Sequence, residues 1–375
     1  MDKKNIALLF GGKSPEHEVS VVTGLQTLNW LDGTKYNVFL IYIDPLNKVY
    51  LCPKFEGNFR EAIDNTLAKK QYIQFTYGGI IVKTGFFNKF YQIDVALLAM
   101  HGGSGENGCL QGLLEYYGIA YTGSGVLGSS LGMDKVIMKD VFSQNKLPIL
   151  PFVWFTKSDF EFDPKVITEK INKNLKYPIF VKPVRSGSSL GISRIKSENS
   201  LKEAIEKAAV YDFKIIVEEE LKEALDINCA VIGGEVLFTS LCEQPLKEEE
   251  FLSFDEKYLK GGKKMGMAGL SRIVPAPIPD KIASEIQNMA KTIFKSLDCW
   301  GSARVDFLYQ KSTGKVFPCE INTIPGSLSS YLWQASGMAP KEMVDKLIEL
   351  ALERQTKDAQ LSYSYKSKIL DQDNK

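Results

Sequence analysis

Histidine is almost missing from this chain: 375 residues contain only His17 and His101. Charge of one sign is missing too, since 46 Lys and Arg face 45 Asp and Glu for a net charge of +1. That balance supplies neither a basic footprint for nucleic acid nor an acidic tail. No apolar run approaches the ~20 residues that a membrane-spanning helix needs. Six cysteines lie scattered at 52, 109, 229, 242, 299 and 319, without a Cys-x-x-Cys pair. In a chain this long they read as reduced, mostly buried thiols of a cytosolic protein, and they argue against zinc. No internal repeat is visible. The start, Met-Asp-Lys-Lys-Asn before Ile-Ala-Leu-Leu-Phe-Gly-Gly, reads as a strand feeding a glycine turn rather than a signal peptide.

What remains is an ordinary apolar fraction of 44% and a length that, at about 150 residues per domain, suggests two or three domains. Ile6–Phe10, Val38–Ile43 and Asp94–Met100 are short apolar runs of the kind that form parallel strands buried on both faces. Between the first two, Gly11-Gly12 turns the chain and Ser14-Pro15 opens a helix, with Ser14 as N-cap. Strand, glycine turn, helix, strand is the pattern of an open α/β layer, whose ligands sit at the carboxyl ends of the strands. Those ends carry Gly11-Gly12-Lys13 and His101-Gly-Gly-Ser-Gly-Glu-Asn-Gly108, so both histidines fall in these loops.

Further on, Lys182 ends a strand before Ser186-Gly-Ser-Ser-Leu-Gly191. Glycines there permit backbone N–H groups to turn toward a phosphate, and the serines, Ser189 among them, add donors. The run does not match the Walker pattern. Ser200-Leu-Lys-Glu203 has the spacing of a capping box. Residues 243–270 form a long polar stretch, read as a lid carrying Lys257 and Tyr258.

The most informative stretch is Ala303-Arg-Val-Asp-Phe-Leu-Tyr, a Lys-Ser-Thr-Gly turn, and Val-Phe-Pro-Cys-Glu-Ile-Asn-Thr-Ile-Pro-Gly326. Two apolar runs around a polar, Gly-containing turn predict a β-hairpin. Alternation puts Arg304 with Asp306 on one face of the first strand, and Glu320 with Asn322 on one face of the second. If those faces coincide, Asp306, Glu320 and Asn322 bring hard oxygen ligands together beside a guanidinium, a set suited to Mg²⁺ held with substrate phosphates.

Taken in order, these motifs resemble the D-alanine–D-alanine ligase family of the ATP-grasp superfamily, over about residues 4–354. The resemblance rests on Gly-Gly-Lys-Ser-Pro-Glu-His-Glu-Val-Ser, His-Gly-Gly-Ser-Gly-Glu-Asn-Gly, Tyr-Thr-Gly-Ser-Gly…Met-Asp-Lys, Val-Lys-Pro-Val-Arg-Ser-Gly-Ser-Ser-Leu-Gly, Glu-Lys-Tyr, Ala-Arg-Val-Asp-Phe and Glu-Ile-Asn-Thr-Ile-Pro-Gly. It implies an α/β, three-domain ATP-grasp architecture: an N-terminal open parallel α/β domain (1–123), a central subdomain (124–216), a C-terminal subdomain (217–356) with the lid 243–270, and a polar tail (357–375). It implies that ATP phosphorylates the carboxylate of one D-alanine and that a second small D-amino acid attacks the acyl phosphate, passing through a tetrahedral intermediate. Lys135, Lys182, Ser189, Glu218 or Glu219, and Asp226 match nucleotide-binding positions. Asp306, Glu320 and Asn322 match ligands for two Mg²⁺ ions, with Mn²⁺ as the alternative metal. Arg304 and the Gly326 N–H match the holders of the oxyanion. Glu16, Ser188 and Tyr258 match a hydrogen-bonded trio, with His101 near the first substrate and Lys257 in the lid. A cytoplasmic homodimer is the implied form. Asp226, Asn107 and Ser186 depart from the residues usual at their positions, and Tyr331 stands where a serine reads the second substrate's carboxylate, leaving Ser329, Ser330 or Tyr331 for that role. The alternatives are D-serine, D-lactate or glycine as nucleophile, or a nucleotide-binding protein without ligase activity.

Overall fold

The computed structural model describes residues 2–52, 59–84, 87–246, 271–362 and 364–365. Its first sheet takes β1 (Lys4–Gly11), β2 (Tyr36–Ile43) and the edge strand β3 (Val49–Leu51). The chain then makes an unforeseen helix, Phe59–Lys69, and a small antiparallel sheet of β4 (Ile73–Thr76), β5 (Gly79–Thr84) and β6 (Phe87–Gln92). It returns to the first sheet as β7 (Val95–Leu98), parallel to β1 on the side opposite β2. Ile6–Phe10 are at most 1% exposed, as a strand covered on both faces must be.

A second four-stranded sheet holds β8 (Phe152–Thr156), β9 (Ile179–Pro183), β10 (Ser193–Ile195) and β11 (Lys214–Glu219), all antiparallel, backed by the helices Pro164–Asn174 and Leu201–Ala208. The capping box expected at Ser200 is not formed. A 3₁₀ turn, Glu198–Ser200, runs straight into the helix, so Ser200 has near-helical backbone angles and its side chain makes no cap hydrogen bond.

The third large sheet contains β12 (Ala224–Gly233) and β13 (Leu237–Thr239). A two-stranded ladder of β14 (Gln244–Pro245) and β15 (Arg272–Ile273) follows, and the sheet is completed by β16 (Gly301–Gln310) and β17 (Lys315–Asn322). Its apolar face packs on the helix Asp280–Ser296, which buries Ile282, Ile286, Ala290, Ile293 and Phe294. The predicted hairpin is β16–β17. Of the stretch read as a lid, residues 243–245 belong to ordered structure, since Glu243 bridges Asn228 and β14 pairs with β15. Lys257 and Tyr258 lie outside the described residues.

The last helix, Pro340–Asp358, does not pack where chain order suggests. Met343, Val344, Leu347, Ile348 and Ala351 enter the same core as Ile6, Leu8 and Leu97 of the first sheet. Arg354 pins the contact: its guanidinium donates to the carbonyls of Gly123 (2.9 Å) and Tyr121 (3.0 Å) and stacks 4.0 Å from the Tyr121 ring centroid. A 3.6-residue apolar stripe announces a buried face but not its partner.

Candidate active site

One cleft of about 490 Å³ is walled by the second and third large sheets and by the loops that follow β1 and β7 of the first. The β16–β17 register settles how the hairpin contributes. Arg304 lies opposite Asn322 and Asp306 opposite Glu320, and directly opposed residues share a face, so all four line one side. Between Asp306 and Phe307 the register slips, leaving Cys319 as an extra residue that also reaches the cleft wall. Burial pushes its thiol up to about 12.

The charges on this wall are paired within the protein. Arg304 Nε and Nη2 donate to the two Asp306 oxygens at 2.7 and 2.8 Å, and Asn322 Nδ2 donates to Asp306 Oδ2 at 3.2 Å. Lys135 Nζ lies 3.2 Å from Glu320 Oε2 and donates to the Ser186 carbonyl at 2.9 Å. Burial opposes the charge on Arg304, but Asp306 outweighs it and holds the guanidinium protonated. Asp306, Glu320 and Asn322 line one cleft and are partly exposed, a set of oxygen-bearing side chains that fits a magnesium ion, and the Lys135, Lys182 and Gly/Ser loop opposite fit phosphates.

Opposite, the loop at 186–191 holds both Ser188 (φ +52°) and Ser189 (φ +62°) in left-handed backbone, at about 1–3 kcal/mol each. The twist brings the Ser188 hydroxyl to donate to Glu16 Oε1, joining the second sheet's loop to the first helix, His17–Leu28. The N-cap expected at Ser14 is displaced: the helix begins at His17 with Glu16 as N-cap and no side-chain cap bond, and the Ser14 Oγ accepts the Glu16 N–H at 3.0 Å in the turn before it. A side chain at Gly102 or Gly187 would push this carboxylate out of place. A Cβ at Gly102, whose φ is +64°, would lie 2.6 Å from Glu16 Oε2, and one at Gly187 would lie 2.7 Å from it.

His101 lines the cleft with both ring nitrogens engaged. Nδ1 sits 2.8 Å from the Ile324 carbonyl and must be the donor, so Nε2 accepts from the Thr23 hydroxyl, also 2.8 Å away. Thr23 Oγ1 in turn accepts the Ser327 N–H at 3.2 Å. Burial pulls the imidazole down to about 4, so it is neutral here. Its two hydrogen bonds tie the Ile324 carbonyl to the helix that carries Thr23. His17 also has both ring nitrogens in hydrogen-bond contact, with the Gly12 carbonyl and the Tyr42 hydroxyl, and does not line the cleft.

Nucleotide candidates separate by side. Glu218 is buried between Lys139 (2.6 Å) and Lys182. Burial resists its ionisation, but the two lysines overcome that and hold its carboxyl well below the usual range. Glu219 caps the Lys176 N–H at 2.8 Å, and Asp226 lines the cleft near the start of β12. Gly326 reaches the cleft; Ser329, Ser330 and Tyr331 do not form its wall. Ser327, Leu328 and Ser329 form a left-handed turn (φ +51°, +51°, +53°), and the hydroxyls of Ser327 and Ser329 are buried with no hydrogen-bond partner among the described residues. The Tyr331 hydroxyl stands between Arg304 Nη1 (3.5 Å) and Glu243 Oε1 (3.4 Å).

Four participants escaped the reading of the sequence. Lys139 is four residues after Lys135 on one helix, so the spacing could have revealed it. Glu106 sits within the His101–Gly108 loop; its carboxylate accepts the Gly102 N–H (2.9 Å) and the Ile324 N–H (3.1 Å). Burial, then the nearby Glu16, push it up to about 7. Glu243 and its partner Arg272 are too far apart in sequence to announce each other.

His101 and Glu106 predict opposite pH trends. The His101 value falls from 6.5 to about 4 on folding, so its contribution is lost as pH drops through that window. The Glu106 value rises from 4.5 to about 7, so its contribution is present below 4.5 and lost as pH rises toward 7. Glu106→Gln should therefore gain on the native chain by about 3 kcal/mol between pH 4.5 and 7 and change little above that. Urea titrations across the range check this; a difference independent of pH would refute it.

The fold and cleft define the ATP-grasp class, an antiparallel sheet and loop facing an acidic hairpin across a nucleotide-sized gap. Two family models match the chain, described as D-ala D-ala ligase N-terminus (residues 5–124) and D-ala D-ala ligase C-terminus (residues 141–349). It is 36% identical over 372 residues to a D-alanine–D-alanine ligase of Thermosipho africanus, covering 98% of each chain, and 38% identical over 363 residues to that of a Thermoanaerobacter species, covering 94% and 98%. Among solved structures it resembles the D-alanine–D-alanine ligase from Coxiella burnetii (TM-score 0.80, 27% identity, 96% and 97% covered) and the VanG D-Ala:D-Ser ligase from Enterococcus faecalis (TM-score 0.79, 30% identity, 93% and 100% covered). This chain belongs to the D-alanine–D-alanine ligase family.

Proposed function

We propose that this protein joins two D-alanines into D-alanyl-D-alanine for peptidoglycan precursors, converting ATP to ADP and phosphate. The observation that carries the reading is the hairpin register, which sets Asp306, Glu320 and Asn322 beside Arg304 on the wall facing Lys135 and Ser188. Asp306, Glu320 and Asn322 would hold magnesium, one or two ions, which neutralises phosphate charge when bound. Lys135 and Lys182 place ammonium groups for the phosphates, and Ser189 offers a donor from the loop. Glu16, fixed by Ser188, supplies an anion for the first substrate's ammonium, leaving that substrate's carboxylate oxygen to attack the γ-phosphorus as ADP leaves. The second amino acid's neutral amine then attacks the acyl carbon, the carbonyl re-forms as the acyl–phosphate C–O bond breaks, and the surplus amine proton leaves on the departing phosphate. Arg304 and the Gly326 N–H hold the oxyanion in between, a fixed positive environment that strengthens as charge develops. The same reading makes the acting form a cytoplasmic homodimer that handles small D-amino acids, and no helix among the described residues is long and apolar enough to cross a membrane.

The test is phosphate release with ATP, Mg²⁺ and D-alanine, followed by the product's mass. D-alanyl-D-alanine as main product is expected. Turnover only when D-serine, D-lactate or glycine is added would transfer the assignment to a sister ligase, and no D-alanine-dependent turnover would end it.

A further inference from the structure

Arg304 faces a conflict that the cleft alone does not resolve. Its fork is held by both oxygens of Asp306, yet Asp306 is also assigned to magnesium in the reading above, on which this inference rests. An oxygen committed to a metal is a poorer acceptor for the guanidinium, so Arg304 needs a second anchor if it is to stay aimed. The structure contains one. Arg304 Nη1 donates to the Tyr331 hydroxyl at 3.5 Å, and that hydroxyl donates to Glu243 Oε1 at 3.4 Å. Asn228 Nδ2 holds the same Glu243 oxygen at 3.0 Å, and Arg272 Nη1 holds the other at 2.9 Å. The Arg272 guanidinium also stacks 3.7 Å from the Tyr331 ring centroid, which fixes the ring that carries the hydroxyl.

Burial makes the arrangement specific. Glu243 is 1% exposed and Arg304 8%. A buried carboxylate is retained at a cost unless it is paired and hydrogen-bonded, and Glu243 has its cation in Arg272 and its donors in Asn228 and Tyr331. Burial and the Glu243 charge keep the phenol protonated, so it donates to Glu243 and has its lone pairs left for Arg304. A donor polarised by a carboxylate is a better acceptor on its other side. We propose that Glu243, acting through the Tyr331 hydroxyl and braced by Arg272, is a positioning residue that keeps the Arg304 guanidinium in place when Asp306 turns to a metal. Tyr331 then serves the oxyanion site indirectly and does not read the second substrate's carboxylate.

Steady-state kinetics of the full chain distinguish these roles. Tyr331→Phe removes one hydroxyl and keeps the stacked ring, and it should lower kcat about tenfold while the KM for each amino acid stays within twofold and the melting temperature is unchanged. Glu243→Gln should lower kcat at least as far, and the double variant should lose no more than the worse single one, because both act through the same hydrogen bond. Arg272→Lys keeps the charge but not the planar stack, and should fall between native and Tyr331→Phe. An unchanged kcat in Tyr331→Phe overturns the proposal, as does an effect confined to the second amino acid's KM, which would make Tyr331 a substrate contact. Arg304→Lys separates the two levels. If it leaves kcat intact, the oxyanion reading of the site has failed; if it abolishes turnover while Tyr331→Phe does not, only the positioning role has.

Discussion

Glu320→Gln is expected to reduce turnover by roughly a hundredfold to a thousandfold while the protein stays folded. The carboxylate is one of two anionic oxygen donors on the hairpin wall, and losing an anionic metal ligand forfeits several kcal/mol of charge stabilisation, with each 1.36 kcal/mol worth about tenfold in rate. The fold should tolerate the change because the Glu320 side chain is 34% exposed and its partner Lys135 keeps its bond to the Ser186 carbonyl. Raising magnesium should restore part of the rate if weakened metal binding is the cause. Phosphate release measured over a range of magnesium, beside a thermal melt, checks all of this. Near-native turnover at low magnesium would mean that the hairpin does not hold the metal.

The largest effect on stability is expected from Glu218→Gln. Its carboxylate sits between the ammonium groups of Lys139 and Lys182, and Lys139 is almost wholly buried. Removing the anion strands the buried Lys139 and unpairs Lys182 at the cleft wall, and breaking a buried pair typically costs about 3–5 kcal/mol. The native carboxyl titrates below its ordinary 4.5, so its contribution is present above 4.5 and lost as pH falls below it; the variant should lack that acid-side loss. Adding Lys139→Met to Glu218→Gln should recover stability, since one stranded charge is then gone. Urea unfolding of the four proteins of this cycle gives the coupling directly. A double variant less stable than Glu218→Gln would contradict the charge account.

Much of this site was legible in the sequence because its signals are local. Strand alternation put Arg304 with Asp306 and Glu320 with Asn322, and only the register was missing; a hairpin turn of four residues then supplied it. Apolar runs disclosed β1, β2 and β7 for the same reason. What stayed hidden depends on partners far along the chain or on conformations that the residue types do not announce. Glu243 reads in sequence as the start of a polar lid, whereas Arg272 and Tyr331 close around it. Nothing in Ser327-Leu328-Ser329 signals left-handed backbone, which glycine normally marks, and so the residues after Gly326 could not be aimed from sequence. The helix Phe59–Lys69 was missed because its surroundings carry weak periodicity.

The docking of the helix Pro340–Asp358 on the first sheet has a consequence for how the chain is made. β7 leaves the ribosome roughly 250 residues before Ala351, and at about 5–20 residues per second that interval is of the order of tens of seconds. Throughout it, the apolar surface that Met343, Val344, Leu347 and Ile348 will cover stays open to water. The newborn N-terminal unit therefore waits with an unfinished core, and its maturation is timed by a segment read long after its own sheet.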